Sequence, residues 1–289
     1  MLKTVDFTTK RNQSENTVML LGGFDGLHVG HRQLLQKAKQ TGLPVGIMCI
    51  VGVKENQSLF TLSEREDVFA RAGIDFVFEL PFTEIKTLSQ TEFLGLLTDN
   101  FQPSVFVCGE DFRFGYGAKG TPESIKKETG VRVEICPKLC VDGETVSTTM
   151  VKKLLTQGNV EKAGEILGER FFLLGEVFED RGVGRTLGFP TANIRYPHDK
   201  YSLKQGVYHT TVEIDGKRYQ GITNYGNRPT FDSEDVLTET YLDGFVGTLY
   251  GKTLKIEFVR YLREIRKFDN ANALQRQLQT DIRTVRNDY

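Results

Sequence analysis

The sequence predicts an α/β chain in two unlike halves: a parallel sheet alternating with helices over residues 1–168, then an antiparallel β-barrel ending in a helix over residues 169–289. Three observations carry this expectation. The length of 289 residues suits about two domains at the usual ~150 residues each. Apolar, β-rich runs alternate with amphipathic stretches up to about residue 168. From Glu169 onward such runs follow one another with few helical patterns between them.

In the first half the strand signals fall at residues 17–21, 45–51, 75–80, 104–108 and 131–135. After His31, Leu34, Leu35 and Ala38 share one helical face. Ser63 with Glu66 and Ser89 with Glu92 have capping-box spacing and open two further helices. Helical patterns at residues 148–155 and 160–167 close this half. In the second half strands are expected at residues 172–178, 206–214, 218–224, 237–242 and 253–258. Asp215-Gly216 signals a hairpin turn between two of them. The final helix follows Phe268, with Asp269 as its expected N-cap and Ala273, Leu274, Leu278, Ile282 and Val285 on one face.

Composition excludes several classes of function. With 37 basic against 38 acidic residues, the net charge of −1 argues against a surface built for nucleic acid or anionic lipid. Any phosphate chemistry must then come from local devices. No secretory signal opens the chain, and the longest apolar runs fall far short of the ~20 residues that span a bilayer. Cys49, Cys108, Cys136 and Cys140 are scattered, and Cys136-x3-Cys140 has no matching pair to complete a zinc site. They read as free thiols, mostly buried, and the protein as cytoplasmic.

The strongest local feature is Leu21-Gly22-Gly23-Phe24-Asp25-Gly26-Leu27-His28-Val29-Gly30-His31, where the first strand gives way to the first helix. Glycines let a backbone approach a phosphate closely, and a helix N-terminus offers unpaired N–H groups with a positive dipole. His28 and His31, two of only four histidines, stand three apart at that helix start, so both imidazoles can face the phosphate. The glycine spacing is neither that of a dinucleotide fingerprint nor that of a P-loop. Gly251-Lys252-Thr253 lacks the upstream glycine, because Val246 holds that position, and reads as a turn. Two further segments are polar: the glycine-flanked loop Cys108 to Gly117, and the hydroxyl-rich helix start Ser147-Thr148-Thr149.

The histidine turn resembles the signature of the nucleotidyltransferase superfamily, whose sheet is Rossmann-like and whose two histidines contact ATP phosphates. Together with the two polar segments it resembles the FMN adenylyltransferase part of bacterial FAD synthetases. That resemblance implies roles in ATP or flavin binding for Gly23, Phe24, Asp25, Gly26, Gly30, Asp111, Ser147, Thr148 and Lys152, and in catalysis for His28 and His31.

In the second half, Gly182-Val183-Gly184-Arg185-Thr186-Leu187-Gly188-Phe189-Pro190-Thr191-Ala192-Asn193 resembles the riboflavin kinase signature. Further matches are Gly206-Val207-Tyr208, the run from Asn224 to Phe231, and Glu239 through Tyr250-Gly251-Lys252. The Thr191 hydroxyl and Asn193 amide are hard oxygen ligands of the kind Mg²⁺ takes. The resemblance implies that Gly184, Arg185, Gly188, Pro190 and Asn224 contact ATP or flavin, and that Glu239, eleven residues before Tyr250, is the catalytic base. The implied activity is phosphorylation of riboflavin to FMN, then adenylylation of FMN to FAD, with ATP and Mg²⁺. Two departures stand out: residues 51–58 lack the Pro-His-Pro-like element of most relatives, and Lys152 stands where arginine is usual. A kinase with weakened adenylyltransferase, or a flavin- or nucleotide-binding regulator, stays open beside the bifunctional reading, and the oligomeric state is not legible.

Overall fold

Val18–Leu21 is four apolar residues long and buried on both faces, as a central parallel strand requires. In the computed structural model, which describes residues 2–6, 16–52, 58–179, 190–227 and 236–287, it is the second strand, β2. Contacts divide the chain into two compact units, Met1–Thr148 and Thr149–Tyr289.

The first unit is a parallel sheet of six strands: β1 (Lys3–Asp6), β2, β3 (Val45–Val51), β4 (Phe76–Pro81), β5 (Val105–Gly109) and β6 (Arg132–Cys136). Their spatial order is β1-β4-β3-β2-β5-β6, every neighbour pair parallel. The chain thus runs outward from β2 to β4 on one side, then returns to β5 on the other. That reversal beside β2 is the topological switch point of a doubly wound sheet, where such folds bind ligands. Edge strand β1 has no counterpart in the sequence expectation, because Lys3-Thr4-Val5-Asp6 is too short and too polar to signal one.

Helices α1 (Val29–Lys39), α2 (Leu62–Arg71), α3 (Phe82–Ile85), α4 (Gln90–Phe101) and α5 (Pro122–Thr129) connect these strands. Leu34, Leu35 and Ala38 are buried, as their spacing predicts. Ser89 and Glu92 form the expected capping box of α4. The Ser63–Glu66 expectation is corrected: α2 starts two residues earlier, with Thr61 and Glu64 exchanging the two bonds. Thr61-Leu62-Ser63-Glu64 has the same spacing, and the fully buried Phe60 fixes where the chain turns into the helix. Core packing on one face of the sheet centres on Met19, Met48, Phe78, Leu97, Phe101 and Phe106. Cys49, Cys108 and Cys136 are free and buried, whereas Cys140 is exposed. Burial pushes the Cys49 thiol up to about 11 and the Cys108 thiol to about 12, so both stay protonated and inert at neutral pH. A small hairpin, β7 (Cys140–Val141) with β8 (Glu144–Thr145), leads to α6 (Thr148–Gln157).

The second unit holds most of α6 and all of α7 (Val160–Leu167). It continues with strands β9 (Phe172–Glu176), β10 (Thr191–Arg195), β11 (Gly206–Ile214), β12 (Lys217–Asn227), β13 (Val236–Leu242) and β14 (Thr253–Arg263), then α8 (Ala271–Arg286). Helix α7 packs on β14, which is why contacts group it with this unit although sequence rhythm sets the change at residue 168. The strands form an antiparallel sheet in the order β10-β13-β12-β11-β14-β9. A bridge between Phe178 and Asn193 ties its two edges together, curling the sheet into a barrel. Asp215 and Gly216 turn between β11 and β12 with φ of 51° and 76°, the primed turn expected of Asp-Gly.

Helix α8 is capped by Asn270 rather than Asp269: the Asn270 side chain accepts from the Ala273 N–H at 2.9 Å. Ile282 and Val285 bury against Val207 and Ile222 of the barrel wall. The same helix is pinned by charge. Arg263 Nε donates to both Asp281 oxygens at 3.1 Å and Nη2 donates to Oδ2 at 2.7 Å, while Gln277 donates to Oδ1 at 2.8 Å. Asp281 is 5% exposed, so stripping either partner would strand a buried charge, at a cost of roughly 3–5 kcal/mol.

Candidate active sites

In the first unit the chain leaves β2 at the switch point and enters the histidine turn. His28 is the N-cap of α1; its Nδ1 accepts from the His31 backbone N–H at 3.1 Å. That bond places the neutral ring's proton on Nε2. His31 Nδ1 donates to the Gly26 carbonyl at 2.9 Å, leaving Nε2 as a lone pair in its neutral form. The two rings stack with centroids 3.5 Å apart and planes 15° from parallel, and Phe24, itself buried, packs on His31 at 4.7 Å.

Gly30 leaves room for this stack, since a Cβ there would sit 3.2 Å from the His28 ring, tighter than ordinary contact, and 3.8 Å from Val146. The same contact puts Val146, and so the start of Ser147-Thr148, beside the histidine turn. Asp111, in the loop after β5, lies near enough for its charge to act on His28 and pairs with Lys138 at 3.5 Å. Gly23, Phe24, Asp25, Gly26, His28, Gly30 and His31 are thus one continuous turn, with Asp111 and Ser147 close to it. Lys152 belongs to the second unit, where its ammonium stands 5.4 Å over the Tyr201 ring.

Burial lowers His28 to about 4 and His31, helped by the neighbouring His28, to about 3. Both rings are therefore neutral at pH 7. Against an unfolded value near 6.5, the unfolded chain takes up protons that the folded unit refuses. The histidines' contribution is thus fully favourable above pH 6.5 and is lost as pH falls toward 3–4. We expect the first unit's stability to drop between pH 7 and pH 5 by up to about 2 kcal/mol per histidine, read as a lower melting temperature. Calorimetry on the full chain checks this, and glutamine at both positions should flatten that part of the slope.

In the second unit the residues of interest stand on three adjacent strands. Asn193 of β10 and Asn224 of β12 are both direct cross-strand partners of Glu239 on β13, so the three form one row on one face of the sheet. Asn193 is 5% exposed, and Oδ1 of both Asn193 and Asn224 is buried without a hydrogen-bond partner among the described residues. The orphaned amide oxygen of Asn193 is a hard donor that fits a divalent cation shared with phosphates, and the carboxylate beside it suits proton acceptance. Among the described residues no group of three His, Cys, Asp or Glu side chains could cage a metal alone.

Pro190 and Thr191 line a cavity of about 370 Å³ that also borders Thr240, Phe245, Val246 and Tyr250. The Pro-Thr-Ala-Asn segment opens a strand at Thr191, with the proline just before it. Gly251 and Lys252 do form a turn, the Lys252 N–H bonding the Leu249 carbonyl at 3.0 Å. Gly184, Arg185 and Gly188 lie outside the described residues. Sequence reasoning did not find Thr240, Phe245 or the buried threonines behind them, since isolated threonines in strands carry no signal until register aligns them.

A doubly wound unit with a histidine-bearing turn at its switch point, followed by a barrel with a row of oxygen donors, suits the class of two-unit transferases. Residues 10–150 match the FAD synthetase family and residues 167–289 the riboflavin kinase family. The chain belongs to the family of bifunctional riboflavin kinase/FMN adenylyltransferases: it is 31% identical to that enzyme of Escherichia coli K12 over 94% of this chain and 92% of the relative. It is 30% identical to the Bacillus subtilis counterpart over 97% and 96% of the two chains. A solved structure from Streptococcus pneumoniae, titled as a macrolide-efflux protein, superposes with a TM-score of 0.88 and 28% identity, covering 98% of this chain and 99% of that one. That title describes the other protein; among the described residues here no helix is long and apolar enough to cross a membrane.

Proposed function

We infer that this chain makes FAD in two steps: it phosphorylates riboflavin to FMN with ATP, then joins FMN to the AMP portion of a second ATP, releasing pyrophosphate. The observation that carries the reading is the presence of two separate phosphate-suited constellations, the stacked histidines and the Asn193–Glu239–Asn224 row, one in each family-matched part. We assign the adenylyl transfer to residues 1–168 and the kinase step to residues 169–289.

For the kinase step, Glu239 accepts the proton of the ribityl 5′-hydroxyl as its oxygen attacks the γ-phosphorus and ADP departs. Thr191 and Asn193 would hold Mg²⁺, which neutralises phosphate charge when bound. Asn224, on the far side of Glu239 in the row, supplies an amide to orient the carboxylate or the incoming hydroxyl.

For adenylyl transfer, an oxygen of the FMN phosphate attacks the α-phosphorus and pyrophosphate leaves. His28 donates from Nε2 without needing to be charged, while His31 donates only once it has taken a proton. Negative charge gathering on the α-phosphate favours that uptake, so the pair stabilises charge where it develops. Glycines, the helix N-terminus and the Ser147-Thr148 segment add N–H and hydroxyl donors. Lys152 in place of arginine keeps a charge but not a planar two-pronged donor.

The test is a time course with riboflavin, ATP and Mg²⁺, resolving riboflavin, FMN and FAD. FMN should rise and then fall as FAD accumulates. FMN without FAD would leave a kinase alone, and no turnover would favour a regulator.

A further inference from the structure

The face of the barrel sheet opposite Glu239 carries a chain of hydroxyls. Thr210 Oγ1 of β11 lies 2.8 Å from Thr223 Oγ1 of β12, which lies 2.8 Å from Thr240 Oγ1 of β13. All three threonines are at most 1% exposed. Gly221 makes the arrangement possible, since a Cβ there would stand 2.5 Å from the Thr210 oxygen. Three hydroxyls carry three protons, and the two bonds of the chain use two. Left on Thr210 or Thr223, the third would be a buried donor with no acceptor among the described residues, at a cost of about 1–3 kcal/mol. On Thr240 it faces the cavity that this residue lines. The proton order is thereby fixed: Thr210 donates to Thr223, Thr223 to Thr240, and Thr240 outward, each bond polarising the next.

The rest of that cavity is suited to a flat, uncharged ring. Phe245, Val246, Leu249 and Tyr250 border it, and no charged side chain among the described residues does. Thr191, whose side chain falls on the Glu239 face and is assigned above to the phosphate end of ATP, also borders it. We propose that Thr240, backed by the Thr210–Thr223 chain, donates a hydrogen bond to a ring nitrogen of the nucleobase of the phosphoryl donor and so sets the base preference of the kinase step. This rests on the kinase reading of the barrel. It also explains why three strands spend a buried position each on a hydroxyl where an aliphatic side chain would pack as well.

Steady-state kinetics of riboflavin phosphorylation on the full chain test it, with Thr240→Val and Thr240→Ser. Valine should raise KM for ATP about 3–10-fold with little change in kcat or in KM for riboflavin, while serine keeps near wild-type values. Among the monodeaza analogues of ATP, one should lose the same factor on the wild-type enzyme and none on the valine variant. The proposal is overturned if valine leaves KM for ATP unchanged, if KM for riboflavin rises instead, or if both enzymes respond alike to every analogue. Failure of the wild-type chain to phosphorylate riboflavin would overturn the kinase reading itself, and this proposal with it.

Discussion

Replacing His28 by alanine is expected to lower FAD formation from supplied FMN by about 10²–10³-fold, the usual cost of losing one donor aimed at developing charge. Conversion of riboflavin to FMN should be unaffected. The expectation follows from the proton inventory of the histidine stack. The His31 N–H occupies His28 Nδ1, so His28 Nε2 carries the proton and is a donor while neutral. His31 offers no such donor until a phosphate draws a proton onto it, because its Nδ1–H is committed to the Gly26 carbonyl and burial holds the unliganded ring uncharged. His28 also caps α1, so alanine removes about 1 kcal/mol of helix stability as well. Asparagine separates the two roles. It keeps a capping acceptor for the His31 N–H but lacks the imidazole, so His28→Asn should melt near wild type and still lose adenylyl transfer.

Glu239→Gln should have the mirror-image effect. Glutamine preserves size and the cross-strand position opposite Asn193 and Asn224 but cannot accept the hydroxyl proton. Loss of a positioned general base is worth about 10²–10⁴-fold, so kcat for riboflavin phosphorylation should fall by that factor. FAD formation from supplied FMN should continue at the wild-type rate. A KM effect with kcat preserved would instead make Glu239 a positioning residue.

Local features of this molecule were readable from the sequence, and non-local ones were not. The histidine turn is contained in eleven consecutive residues, so its glycines, helix cap and paired imidazoles could be read together. The strands other than β1, β7, β8 and β10, and the Asp215-Gly216 turn, were legible for the same reason: burial pattern and turn chemistry are properties of short segments. By contrast, the adjacency of Asn193, Glu239 and Asn224 depends on β13 lying between β10 and β12, a strand order that no local pattern encodes. Thr210, Thr223 and Thr240 are ordinary strand residues until register puts their hydroxyls 2.8 Å apart. The two misplaced caps, Ser63 and Asp269, show the limit of motif spacing: Thr61 and Asn270 offer equivalent chemistry one or two residues away, and packing selects between them.

If two independent sites act in sequence on one flavin, mixing single-site variants shows it most directly. Incubated alone with riboflavin, ATP and Mg²⁺, the His28→Ala chain should accumulate FMN and the Glu239→Gln chain should leave riboflavin largely unconverted. Mixed, they should convert riboflavin through to FAD, because FMN made by one chain is adenylylated by the other. Failure of the mixture to make FAD, with both chains folded and each showing its retained activity, would contradict independent sites linked by released FMN. Loss of both activities from either folded variant would contradict the assignment of one site to each half.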